Sequence, residues 1–554
     1  MSQYTFNKTP RVKIPRVRLR RPQSVKTTIS AGELVPFYVD EVIPGDTFQL
    51  SSTAVCRMNA LRASVMDDAY FDMYYFFVPN RLVWTEWTTL MGENKNSAWE
   101  EPITEEVPQI KYVSASRKPM DLADYMGLPI TGTTGAVDIT VNMLPFRAYS
   151  LIWNEWFRDQ NLQAPIHIDT SSTDLTINTS GNWSVASPYV ACAPVNKLHD
   201  YFTSALPAPQ KGDTVLLPLN GQAPVVTQNA IHSISTTPVT YQSTGNVNIS
   251  AGEPHFIGIT AGSTPILSAP SQAFRIPTTT FGPPSVVNPV PNNLYADLST
   301  STASSINDLR FAFALQKLYE RDARSGTRYT EVIQSHFGVS NPDSRLQRPE
   351  YLGGKRQSVN NYQVTQTSST DNVSPQANIA AFSHTVSHSG HFVKSFTEHG
   401  FVIGVCCLRT RQTYSQGIEK FWTRKNRIDY YSPEFANIGE QPIYTTEIYY
   451  SAPKANVFGY QEAWADYRYK PNRVSGLMRP RTTNSIAVWN YAEANTTMPT
   501  LSDAFIRQGA TEVDRTLSIS KATAGYQMFV DFYIENISTR CMPIYSVPGL
   551  IDHH

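Results

Sequence analysis

The 554-residue sequence is poor in charge and in cysteine, and it has no long apolar run. Asp, Glu, Lys and Arg together make up 17% of it, where globular domains ordinarily carry roughly 25%. So sparse a charge suits a surface largely covered by other subunits. The five cysteines are Cys56, Cys192, Cys406, Cys407 and Cys541. An odd count without C-x-x-C spacing excludes a zinc ribbon and points to reduced thiols in a cytoplasmic setting. The longest apolar stretch runs from Phe401 to Leu408, far short of the roughly eighteen residues a membrane span needs. The N-terminus lacks the apolar core of a secretion signal. Catalytic signatures are missing too: there is no G-x-S-x-G, no H-E-x-x-H and no dinucleotide fingerprint. Leu352-Gly353-Gly354-Lys355 lacks both the upstream glycine and the following Ser/Thr of a phosphate loop. His384, His388 and His391, with His399 close behind, have no carboxylate or thiol among them, which is poor ligand logic for a metal. Neither an enzyme nor a cofactor is expected.

Aromatic residues are abundant, with 25 Phe, 29 Tyr and 9 Trp, enough for a large core. With 38 Pro and many Thr, Ser and Asn, the chain reads as a loop-rich β protein. Charge is also unevenly placed. Residues 1–32 carry Lys8, Arg11, Lys13, Arg16, Arg18, Arg20, Arg21 and Lys26 and no acid. The whole chain has 46 basic and 46 acidic residues, so the body beyond this segment is acidic. A basic arm on an acidic body is a device for holding a polyanion, nucleic acid above all. Arg11-Val12-Lys13-Ile14 alternates cation with apolar residue, and Arg16-Val17-Arg18-Leu19-Arg20 resumes the alternation after Pro15. Period two predicts an extended strand, with cations toward phosphate and apolar side chains toward a protein wall. A flexible basic tail is the alternative. Pro10, Pro15 and Pro22 oppose the amphipathic helix of an organellar targeting peptide.

Further along, Glu33–Val39, Thr47–Leu50 and Met73–Val78 read as strands, with a turn at Pro44-Gly45-Asp46. Arg81–Met91 reads as a short helix stopped by Gly92. Tyr149, Ile152, Trp153 and Trp156 recur at helical spacing within Leu144–Gln163, which predicts an anchoring helix beneath a sheet. Glu155 and Asp159 lie one turn apart on that helix, but no third group makes them a catalytic pair. Between Lys211 and Ser305 only five of 95 residues are charged and 43 are Gly, Pro, Ser or Thr. That composition predicts an inserted set of strands and loops. A helical pattern returns at Ile306. Phe401–Leu408, Ile443–Tyr450 and Tyr526–Ile534 are the clearest later strands. Cys406-Cys407 falls inside the first of these and reads as packing.

Seven long stretches, in order along the chain, carry a specific resemblance. They are AGELVPFYVDEVIPGDTF (Ala31–Phe48), YFFVPNRLVW (Tyr75–Trp84), LPFRAYSLIWNEWFRDQNLQ, HDYFTSALPAPQKG (His199–Gly212), FTEHGFVIGV (Phe396–Val405), NIGEQPIYTTEIY (Asn437–Tyr449) and FGYQEAWADYRYKPNRVSGLMR (Phe458–Arg479). The chain resembles the major capsid proteins of the Microviridae, small single-stranded DNA bacteriophages, in their gokushovirus branch. Residues 170–188 and the uncharged insertion do not match in detail.

The resemblance implies a mainly β fold, an eight-stranded antiparallel viral jelly roll with long loop insertions and a few short helices. It implies a homo-oligomeric T=1 icosahedral shell with fivefold, threefold and twofold contacts, packaging circular single-stranded DNA. The expected parts are an internal basic arm (1–32), jelly-roll strands with helical insertions (33–210), a surface protrusion at the threefold axes (211–305), and the remaining jelly roll with inter-subunit loops (306–554). Scaffolding and minor virion proteins and a host-surface receptor are the further partners implied. The location implied is the virion, assembled in the bacterial host cytoplasm without membrane insertion. Two other readings are a carbohydrate-binding β-sandwich, which would need a carboxylate pair in a cleft, and a sequence-specific DNA-binding protein, which would need a recognition helix.

Overall fold

The computed structural model describes residues 15–93, 105–130, 137–213, 215, 225–227, 241–242, 290–291, 294–296, 306–326, 328–368, 376–388, 391–450 and 456–545. The chain divides into one unit formed by Met1–Asp213 with Leu318–His554 and a second formed by Thr214–Lys317.

Nine strands build the centre of the first unit: β1 (Arg16–Ile29), β2 (Val35–Val42), β3 (Thr47–Met58), β4 (Ala69–Pro79), β5 (Glu350–Ser358), β6 (Thr385–His388), β7 (Phe392–Ser395), β8 (Gly400–Thr410) and β9 (Met528–Cys541). They form two antiparallel sheets. One runs β1-β9-β3, with β6 and β7 pairing successive stretches of β3; the other runs β5-β4-β8-β2. Every neighbouring pair in both sheets is antiparallel.

The sheets face each other across one apolar core. Phe37 of β2 stacks on Phe532 of β9 with ring centroids 4.2 Å apart, and Phe71 of β4 lies 6.2 Å from the same ring. Asn536 Nδ2 of β9 donates to Tyr38 Oη of β2 at 2.8 Å. β3 and β9 alternate buried and exposed residues because only one face is covered. β4 and β8 are buried on both faces, which is why Phe401–Leu408 reads as an unbroken apolar run. Their second face is covered by helix α1 (Leu144–Ile152) and the π-helical turn Trp153–Phe157. Trp156 and Phe157 sit 5.4 Å and 6.0 Å from Phe76. Tyr149 Oη donates to Leu34 O at 2.6 Å and accepts from Ala193 N at 2.9 Å.

Three expectations need correction. The helix does not run to Gln163: it ends at Phe157, Arg158 is extended, and Asp159 Oδ1 instead accepts the backbone N–H groups of Asn161 and Leu162. Glu155 and Asp159 therefore share no helical face. Ile443–Tyr450 is not one strand. It stops at Tyr444, and Thr445–Ile448 forms a helical turn whose buried Glu447 accepts the Tyr444 N–H at 3.0 Å. Arg81–Met91 is not one helix: Asn80–Leu82 forms a 3₁₀ turn and Trp87–Leu90 a separate helical turn. The helix Ile306–Ser325 forms as read, with Phe311, Phe313 and Leu318 exposed.

In the second unit Val225–Thr227 pairs with Leu294–Ala296 and Tyr241–Gln242 with Val290–Pro291, both antiparallel. Most of 211–305 lies outside the described residues. The architecture is mainly β, with antiparallel sheets, few helices and no closed barrel among the described residues.

Candidate nucleic-acid interface

The cationic segment enters the structure as β1, the edge strand of its sheet. All fourteen residues pair with β9, from Arg16 opposite Cys541 to Ile29 opposite Met528. The alternation seen in sequence sets two faces: Arg16, Arg18 and Arg20 are exposed, whereas Val17 and Leu19 are half-buried. Lys8, Arg11 and Lys13 lie outside the described residues.

The exposed cations differ in their partners. Arg16 donates to Gly45 O and Thr47 Oγ1, and Arg18 donates to Gln49 Oε1 at 3.4 Å. Those acceptors are neutral, so the two charges are not cancelled there. Arg20 meets Glu535 at 2.6 Å, and that hydrogen bond raises its pKa. Lys26 Nζ lies 4.0 Å from Asp531. Arg20 and Lys26 both stand in solvent, where ion pairs are weak and screened by salt, so a phosphate can displace them at little cost.

Arg21 takes the other face. Its Nη1 donates to Asp40 Oδ1 at 3.1 Å, its Nε donates to Ser538 Oγ at 2.8 Å, and its guanidinium lies 5.4 Å from the Phe48 ring centroid. Burial acts to lower its pKa, but the hydrogen bond and charge of Asp40 outweigh that and raise it. Arg540 approaches the same ring from β9 and donates to Asp46 Oδ2 at 2.9 Å. Arg21 thus matches its charge inside the fold and ties the β1 edge to β2. Its sequence signal was the break in alternation at Arg20-Arg21, but its partner could not be read from spacing.

His388 Nδ1 lies 3.0 Å from Thr53 Oγ1, and His399 packs 5.4 Å from the Trp87 ring. Among the described residues no three His, Cys, Asp or Glu side chains are placed to hold a metal. Cys406 and Cys407 are buried on β8, where burial pushes the Cys407 thiol up to about 12, too high for a nucleophile. No helix among the described residues is long and apolar enough to cross a membrane.

The profile of the family described as "Capsid protein (F protein)" matches residues 7–550. The chain belongs to this capsid-protein family. It is 38% identical to capsid protein VP1 of Chlamydia phage 1, over 98% of this chain and 97% of that one. Capsid protein VP1 of Spiroplasma virus 4 is also 38% identical, over 97% of this chain and 96% of its own. Capsid protein VP1 of Bdellovibrio phage phiMH2K is 36% identical, over 99% and 98%. This is a major capsid protein of a Microviridae phage, a structural component of the virion and not an enzyme. A capsid protein works as a homo-oligomeric shell, which gives the low charge content its reason.

Proposed function

We propose that copies of this capsid protein close into a small T=1 icosahedral shell around circular single-stranded DNA, with the basic N-terminal segment turned onto the genome. The observation that carries this reading is β1 itself: a strand whose cations stand outward along one face and whose apolar residues seat the segment on the sheet. Lys8, Arg11, Lys13, Arg16, Arg18, Arg20 and Lys26 neutralise phosphate, and Arg21 anchors the strand through Asp40. Contacts of this kind release counterions and read no base sequence.

Strand order supports the jelly roll. Counting β6 and β7 as one interrupted strand leaves two four-stranded sheets, β1-β9-β3-β6/β7 and β5-β4-β8-β2. Successive strands alternate between the two sheets from β1 to β4, and again from β5 through β9. The division of Thr214–Lys317 from the rest supports an insertion at residues 211–305; on this reading it forms the surface protrusion at the threefold axes and meets the host receptor. Scaffolding and minor virion proteins assist assembly in the host cytoplasm on this reading.

The test is the salt dependence of single-stranded DNA binding. Replacing Arg16, Arg18 and Arg20 by Gln is expected to reduce the slope of log K against log salt by about 2, since each phosphate neutralised on a single strand contributes roughly 0.7. An unchanged slope would remove β1 from the interface.

A further inference from the structure

A second aromatic and cationic site lies away from β1, in the loop layer that follows β8. A cleft of about 520 Å³ is walled by the 3₁₀ turn Lys420–Thr423 and the segment Tyr467–Arg479. Three aromatic side chains stand at its mouth: Trp422 is 69% exposed, and Phe421 and Tyr467 are also exposed. Cations are interleaved with them. The Lys470 ammonium lies 5.3 Å from the Phe421 centroid, and the Arg424 guanidinium lies 4.4 Å from that of Tyr467.

The lining holds five cations, Lys420, Arg424, Lys470, Arg473 and Arg479, against three carboxylates, Glu419, Glu447 and Asp466. Each carboxylate is already engaged. Glu447 accepts from Tyr201 Oη at 3.0 Å, Asp466 pairs with Arg424, and Glu419 serves both Lys470 and Arg473. Lys470 and Arg473 thus share one acid while remaining 70% and 74% exposed. On the wall, Ser415 Oγ is buried with no hydrogen-bond partner among the described residues.

This chemistry selects an occupant. The core of a protein–protein interface takes aromatic residues and Arg but is depleted in Lys, Asp and Glu. The hairpin of Asn361–Thr365 with Ile379–Ser383 has that character, with Tyr362 and Phe382 stacked at 5.4 Å and no charged residue in either strand. The cleft differs: it is concave, positive and lined by exposed rings. Aromatic faces beside cations are what an unpaired base and its adjoining phosphate require.

We infer that this cleft is a base-stacking site for the packaged single strand, with Trp422 and Phe421 taking an unpaired base and Lys470, Arg473 and Arg479 its phosphates. The inference rests on the reading that the shell encloses single-stranded DNA. It adds a contact away from the N-terminal segment.

The test is ultraviolet cross-linking of intact DNA-filled particles followed by peptide mapping, joined to binding of a short oligothymidine by the full chain. Cross-links are expected on the peptides holding Trp422 and Tyr467. Trp422→Ala is expected to weaken oligothymidine binding roughly ten-fold, while Trp422→Phe retains most of it. Cross-links confined to residues 1–32 would overturn the cleft and leave the proposed function standing. Cross-links nowhere would bring down the genome-contact reading together with the cleft. A Trp422→Ala chain that binds oligothymidine normally but forms no particles would make the cleft a contact between copies of the chain, and so overturn the inference.

Discussion

Asp72 has a fully buried side chain and holds two arginines from the strands on either side of β4. Arg356 of β5 donates to its two oxygens at 2.8 and 3.2 Å, and Arg409 of β8 donates through Nε at 2.9 Å. Removing one member of a buried ionic set leaves the others uncompensated, which costs about 3–5 kcal/mol. Asp72→Asn is therefore expected to lower the unfolding free energy of the unassembled subunit by that amount, seen as a lower denaturant midpoint with the m-value unchanged. Glu447 gives a prediction of different sign. Burial raises its carboxyl above the ordinary 4.5, so the folded chain keeps a proton that the unfolded chain has released. Its contribution to stability is complete below about 4.5 and is lost as pH rises through the raised value. Glu447→Gln cannot ionise, so the variant is expected to gain on the native chain in thermal melts as pH rises from 4.5 through the raised value. A constant difference across that range would contradict the assignment. At this scale the sequence was legible where period two sorted Arg16, Arg18 and Arg20 onto one face. It was silent on Arg21 and Asp72, whose roles depend on register with strands far along the chain.

At the scale of elements, hydrophobic pattern located β4, β8 and β9, the turn at Gly45 (φ 88°) and the helix Ile306–Ser325. It misjudged the ends where a polar side chain decides the backbone, as Asp159 and Glu447 do. It also left open whether the basic segment was a strand or a tail. Within the described residues it is a strand from Arg16 onward, covering the flank of β9. This makes two truncations differ. A chain lacking residues 1–15 is expected to stay monodisperse before assembly, because β1 still covers β9. A chain lacking 1–29 bares a fourteen-residue edge, and exposed edges recruit other strands. Sedimentation is expected to show aggregates only for the second. Equal behaviour of the two would mean that β1 does not protect the sheet. The cleft residues were the least legible, since Trp422 and Tyr467 are 45 positions apart and sit in short turns that no period announces.

At the scale of the whole molecule, a neutral chain separates its charge into a basic beginning and an acidic body. On the proposed reading, a shell of many copies turns that asymmetry into a lining, each subunit presenting the cations of its first 32 residues to one polyanion. The most direct measurement is electron microscopy of nuclease-treated particles, with protected DNA quantified in the same fraction, for the native chain and for the Arg16, Arg18 and Arg20 to Gln variant. Uniform small icosahedral particles holding protected single-stranded DNA are expected for the native chain, and intact shells with markedly less DNA for the variant. Native particles that protect no DNA, or a variant that protects as much as the native chain, would contradict the account.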